Sequence, residues 1–352
     1  MTIEDAKLAL DSVIRKSRVH FYKPIQVAEI LHRNRVSGLS LGSLENYRSP
    51  SKRWRDEVSI VLVGNVSTSS AKFQDNLFEE NAIPPRFISE LGDYNAANNG
   101  VIENYIYSNM TSKMSDVQSI HQYLTEADSE NFDLIELLNL FTDTAGLRRS
   151  MDKVYEIVAF ALFDSVIDSL EVTVSLRIHS QDESLLEDFE SFSSKVLGVN
   201  DGKHLTQPAR VFRVGSTNAN DGGLDLWANF GPAIQVKHFA INQDHLQTIS
   251  NGIQADKFIV VCTDAEKSII ESVLRQAGTF QKVQSIITLS DLVDWYKKAF
   301  SKSNTAGLGS SLLSTLLREF ELEFPSNTKM PEFMAQRGYE PSQLSNDWQL
   351  LS

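Results

Sequence analysis

Between Ala209 and Phe239 three short apolar runs, ARVFRVG, GLDLWANF and PAIQVKHF, follow one another with only Gly222-Gly223 and Gly231-Pro232 as punctuation. Runs this short, separated by turn residues, read as a meander of three strands. Such a meander has to bury a face against another layer, and this restricts what the flanking sequence can be. The segment Tyr155 to Leu170, YEIVAFALFDSVIDSL, has the length and apolar density of a largely buried helix. EVTVSLRI, from Glu171 to Ile178, follows with β-branched alternation and reads as the first core strand. A helix fits Glu183 to Leu197. After the meander the sequence predicts a helix from Gln243 to Ile253, the strand KFIVVC (257–262), a helix from Glu266 to Gln276, the strand SIITL (285–289) and a helix from Ser290 to Phe300. Strands that alternate with helices after a meander predict an α/β (α+β) fold: a mixed central sheet flanked by helices.

The remainder is mainly helical. Ile25, Ala28, Ile30 and Leu31 form an apolar stripe behind Pro24, a plausible helix-start residue. GLSLGSLENYRSPSKRWRDEV mixes Ser, Gly and Pro with basic residues and reads as a loop, and SIVLVG as a short buried strand or a helix start. From about 70 to 150 the pattern is helical, broken at Pro84-Pro85 and at NAANNG. The expected organisation is a helical N-terminal region with a basic segment (1–150), a core (151–300), and a linker with a helical tail (301–352), SKSNTAGLGSS being the linker.

Composition narrows the function. No apolar run approaches the ~20 residues that a bilayer span needs. The first twenty residues show acidic side chains and no continuous apolar stretch, so a cytoplasmic chain is expected. The single cysteine, Cys262, excludes an internal disulfide and zinc clusters of the CxxC kind; it reads as a packing residue. The seven histidines have no HExxH spacing, and GxxxxGK[ST] and GxGxxG contexts are absent. A net charge of −13 argues against nucleic-acid binding, yet residues 1–55 carry eleven basic and five acidic side chains, a local +6. Within it, Lys52, Arg53 and Arg55 beside Trp54 could hold phosphates, or simply form a solvated loop.

The residues able to do chemistry lie on the meander. A hairpin-like turn at Gly231-Pro232 would bring Asp225 beside Gln235 and Lys237, which share one face while Ile234 and Val236 pack into the core with Leu224 and Leu226. One carboxylate, one amide oxygen and one ammonium at a sheet edge suit phosphodiester hydrolysis. The oxygens bind a hard divalent cation such as Mg²⁺, and the lysine orients water and offsets developing charge. His238 would face the core and reads as structural.

Asp225-x9-Gln235-Val236-Lys237 resembles the PD…(D/E)xK pattern of nucleases, with Gln in place of the usual acid. The surrounding text is more specific: VFRVGSTNANDGGLDLWANFGPAIQVKHF (211–239), SKRWRDEVS (51–59) and VGNVSTSSAKFQDNLFEENAIPP (63–85) are similar to the HaeII restriction endonuclease family over most of residues 25 to 265. The resemblance implies a PD-(D/E)xK nuclease core and a Mg²⁺-dependent Type II restriction endonuclease that cleaves double-stranded DNA at a short palindrome, purine-GCGC-pyrimidine. It implies a homodimer, paired in function with a cognate DNA methyltransferase. Asp225 then matches the metal-binding aspartate, Gln235 the position usually Glu, and Lys237 the lysine. Glu156, on the helix before the first core strand, matches the extra metal-site glutamate that many members carry. Asn218 and Asn220 are candidates for DNA contact, although turn formation explains them as well. Two other readings stay open at this point: a repair or recombination nuclease of the same superfamily, and a catalytically inactive DNA-binding module.

Overall fold

The computed structural model describes residues 2–17, 21–64, 66, 76–144, 147–200, 204–214, 224–237, 256–276, 278–301, 307–324, 329–339 and 348. The expected helix at 243–253, His238, Asn218 and Asn220 lie outside these residues.

The N-terminal part is built from helices α1 (Ile3–Lys16), α2 (Tyr22–Ser37), α3 (Pro50–Val63), α4 (Pro85–Ala97) and α5 (Val101–Glu126). The basic run expected to be a loop is helical. Pro50 sits at the first helical position, where its fixed φ suits a helix start, and the SIVLVG run continues α3 to Gly64, whose φ of 72° closes it. Helix α6 (Leu134–Asp143) is capped by Asp133, whose carboxylate accepts the N–H groups of Ile135 and Glu136. The apolar helix expected after it is α7 (Met151–Ser169).

The mixed sheet is present with five strands in the order β3 (Val211–Arg213), β4 (Leu226–Ala228), β5 (Ala233–Val236), β6 (Phe258–Cys262), β7 (Val283–Thr288). The first three strands pair antiparallel, as a meander must, and β5, β6 and β7 pair parallel. The parallel crossover from β6 to β7 is made by α10 (Lys267–Gln276), and α11 (Leu289–Ala299) follows β7 from a Thr288/Asp291 capping box. EVTVSLRI does not join this sheet. Its strand β1 (Thr173–Arg177) pairs antiparallel with β2 (His204–Pro208) in a separate, largely exposed ribbon, with α8 (Glu183–Asp188) and α9 (Glu190–Leu197) between the two. Alternation alone fixes a strand's faces, not its partner, so the sequence could not distinguish the two sheets.

Among the described residues the interior holds three apolar clusters: two large ones, both taking residues from α5, and a small one between β5, β6 and α10. Val117, Ile120 and Leu124 of α5 pack with α7, the sheet and α12 (Leu308–Glu323), whereas Val101, Ile106 and Met110 pack with α1 to α4. A 26-residue helix that shows no break in sequence spans both. The C-terminal segment is divided likewise: α12 lies against α7, while α13 (Met330–Arg337), Tyr339 and Trp348 close the N-terminal cluster.

The N-terminal cluster contains a buried ionic network. The Glu103 carboxylate, fully buried, accepts hydrogen bonds from Arg35, Asn95 and Tyr339 and meets His32 Nδ1 at 2.9 Å. Burial alone would raise its pKa, but these donors outweigh burial and hold the carboxyl at about 2. A carboxyl depressed in the fold stabilises it above the unfolded value near 4.5, and this contribution is lost as pH falls towards 2. Glu103→Gln is therefore expected to destabilise the protein at neutral pH by on the order of 3 kcal/mol. The gap to wild type should close as pH is lowered from about 4.5 to 2, as measured by urea unfolding midpoints across that range.

Candidate active site

The β4–β5 turn builds the site. Gly231 has φ 121°, a conformation strained for any residue with a Cβ, and the turn is closed by Gly231 N–H to Ala228 O and Ala228 N–H to Pro232 O, both at 3.1 Å. The turn sets Leu226 opposite Ile234 and Trp227 opposite Ala233, so Asp225, one residue before β4, falls opposite Gln235. The Asp225 N–H reaches Ile234 O at 3.3 Å, and Asp225 Oδ2 accepts the Val236 N–H at 2.8 Å. Lys237 follows directly on β5, its N–H donating to Val261 O at 2.8 Å on β6.

The structure thus brings Asp225, Gln235 and Lys237 together, with two differences from the expectation. Asp225 is half-buried, and Leu224, which stands before β4, packs with the cluster on the opposite side of the sheet from Leu226. Gln235 is 1% exposed, since β5 is covered on both faces: Ile234 and Val236 meet the α7 side, and Ala233 belongs to the cluster under α10. Burial is the main influence on Asp225 and pushes its pKa up, against Lys237, the Val236 N–H and Lys153; Asp152 adds to the rise.

Glu156 is buried on α7 close enough to Asp225 for the two charges to repel. Both of its oxygens are engaged: Lys153 Nζ donates to Oε2 at 2.6 Å and Arg213 Nε to Oε1 at 2.9 Å. Arg213 also donates to Glu319 at 2.9 Å and to Glu323 at 3.0 Å on α12. Burial raises the Glu156 pKa, opposed by the Lys153 and Arg213 charges. Lys153 and Arg213 were not singled out from sequence, although each left a signal. Lys153 stands one helical turn before Glu156, a pairing distance, and Arg213 shares the core-facing side of β3 with Val211, where an arginine requires buried acids.

The basic helix α3 lies elsewhere on the chain. Arg53 is 76% exposed, 3.6 Å from Glu57, and Lys52 is half-buried. Arg55 is 2% exposed: its guanidinium pairs with Asp56 at 2.6 Å over the Tyr22 ring, so it presents no surface to a phosphate. Cys262 is fully buried on β6, and burial pushes its thiol up to about 12, as suits a packing residue.

Among the described residues no group of three or more His, Cys, Asp or Glu side chains could hold a metal ion. Asp225 with the Gln235 amide is instead a small set of hard oxygen donors, and one carboxylate oxygen, Oδ1, is left outside the Val236 bond. A half-buried carboxylate whose proton is favoured by desolvation gains from a nearby cation, so these residues fit a hard divalent cation such as Mg²⁺. No described helix is long and apolar enough to cross a membrane.

The family model described as HaeII restriction endonuclease matches residues 6–339. The Type II restriction enzyme NgoBI of Neisseria gonorrhoeae is 44% identical over 97% of this chain and 98% of its own length. The Type II restriction enzyme HaeII of Haemophilus aegyptius is 43% identical over 92% and 93% respectively. No solved structure matches. The chain belongs to the HaeII restriction endonuclease family, and with it to the Type II site-specific deoxyribonucleases.

Proposed function

We propose that this restriction endonuclease hydrolyses phosphodiester bonds of double-stranded DNA at Asp225, Gln235 and Lys237, with Mg²⁺ as cofactor. The observation that carries the reading is the β4–β5 register, which sets the Asp225 carboxylate against Gln235 and one residue from Lys237. When bound, the metal would lower the pKa of the attacking water and offset charge on the phosphoryl oxygens. Asp225 and the Gln235 amide oxygen would hold it. The Val236 N–H engages Oδ2, which would leave Oδ1 of Asp225 for the cation. Lys237 orients the attacking water and stabilises the charge that develops on phosphate. Glu156 supports the centre by steering Lys153 towards Asp225; to become a ligand it would have to release both Lys153 and Arg213.

The substrate carried over from the resemblance is the palindrome purine-GCGC-pyrimidine. Two equivalent strands call for two equivalent centres, so we read the active form as a homodimer on DNA. Lys52 and Arg53 on α3 would contact phosphates, adding affinity without sequence information. A cognate DNA methyltransferase would protect the host's own sites in the cytoplasm.

Digestion of a mapped plasmid followed by end sequencing tests the activity: discrete Mg²⁺-dependent cuts, abolished by EDTA, are expected. Asp225→Ala and Lys237→Ala should each lower cleavage by about 10³-fold or more and keep specific binding to a site-bearing duplex. Either variant turning over at the wild-type rate would remove the assignment.

Gln235 separates a ligand from a packing role. Its burial means that Gln235→Leu should keep the unfolding temperature within a few degrees yet lose cleavage, while Gln235→Glu should cleave in Mg²⁺. An active, stable Leu variant would show that the amide oxygen is not a ligand.

A further inference from the structure

The excursion between α7 and β3 has no interior of its own. Among its described residues from 170 to 208 only Val199 is buried, yet the segment forms two strands and two helices. Helices α8 and α9 run nearly as one: Phe189 N–H bonds to Leu185 O at 3.1 Å and Ser193 N–H to Phe189 O at 2.9 Å, so the helical ladder passes through their joint. Leu185, Phe189, Phe192 and Val196 follow at spacings of four, three and four, the repeat of a helix-pairing seam. All four are exposed, Phe189 at 53% and Phe192 at 50%. Leu186, Ser193 and Leu197 are the less exposed residues of the same helices, so the seam is not turned inward.

We propose that two copies of this chain associate through this seam, as an antiparallel, two-fold pair of α8–α9 helices. The four-three-four spacing is its own complement when reversed, setting Phe189 opposite Phe192 of the other copy and Leu185 opposite Val196. Charge favours the same sense. Glu183, Glu187 and Asp188 lie before the centre of the pair and Lys195 after it, so reversal brings each lysine to the other copy's acids. The half-exposed side chains of Leu185, Phe189, Phe192 and Val196 amount to roughly 400 Å² per copy. A standard interface needs about 800 Å² a side, so the seam would supply about half of it and its polar rim the rest. DNA is the wrong occupant: residues 170–208 carry seven acidic and three basic side chains, a net −4.

This deepens the homodimer reading by naming its interface, and it uses no catalytic residue. Sedimentation equilibrium of the full-length chain without DNA tests it. The wild type should run at twice the 39.5 kDa chain mass. Phe192→Glu and, separately, Val196→Glu, both at exposed positions, should raise the dimer dissociation constant about 100-fold or more with unchanged circular dichroism. A wild type at the single-chain mass would overturn the interface while leaving the nuclease reading standing. Both variants pairing as tightly as wild type would overturn the seam but not the homodimer, and pairing that needs duplex DNA and ignores both substitutions would assign the contact to the DNA face.

Discussion

One hydrogen bond, from the Val236 N–H to Asp225 Oδ2, ties the only described carboxylate of the β4–β5 hairpin to the strand that carries Gln235 and Lys237. Its formation depends on register, and the register depends on a turn that only glycine makes without strain at position 231. A slip of one residue would exchange the faces of β5, moving Ile234 and Val236 out of the α7 cluster and setting the Gln235 amide among its apolar side chains. The cost of burying that amide without its partners, about 1–3 kcal/mol, keeps the candidate site assembled. The chemistry between β4 and β5 is held by packing underneath it.

The same support reaches across the molecule through Arg213. Its guanidinium joins β3 to Glu156 on α7 and to Glu319 and Glu323 on α12. Buried ion pairs of this kind add little net stability over apolar packing, but removing one member strands the others, so they fix an arrangement more than they strengthen it. Here the arrangement fixed is the position of α7, and with it Lys153 beside Asp225. Helix α5 then carries the sheet and the N-terminal helices as one framework, because its two halves belong to different cores.

Much of this was legible in the sequence where local signals and the fold agree. The meander, the parallel strands after it and the intervening helix follow from turn residues and periodicity, and the Asp225–Gln235–Lys237 grouping follows from strand geometry. What was not legible depends on pairing at a distance. EVTVSLRI has the pattern of a core strand but finds β2; the SPSKRWR segment has loop composition but is carried into a helix by Pro50 and the apolar residues after it. Arg55 looks like its basic neighbours in sequence, and only packing against Tyr22 and Asp56 separates it from the exposed Arg53. The exposure of the α8–α9 seam is likewise a tertiary fact, since its spacing alone would suit a buried helix face equally well.

In the proposed site, Asp225 holds the catalytic cation against Gln235. Mn²⁺, which takes similar oxygen ligands and is detected directly by its paramagnetism, can be titrated into the protein bound to an uncleavable duplex bearing the site. A bound-metal signal is expected in the wild type and should weaken at least about tenfold in Asp225→Asn, with the duplex still bound. Equal Mn²⁺ affinity in the two proteins would contradict this assignment.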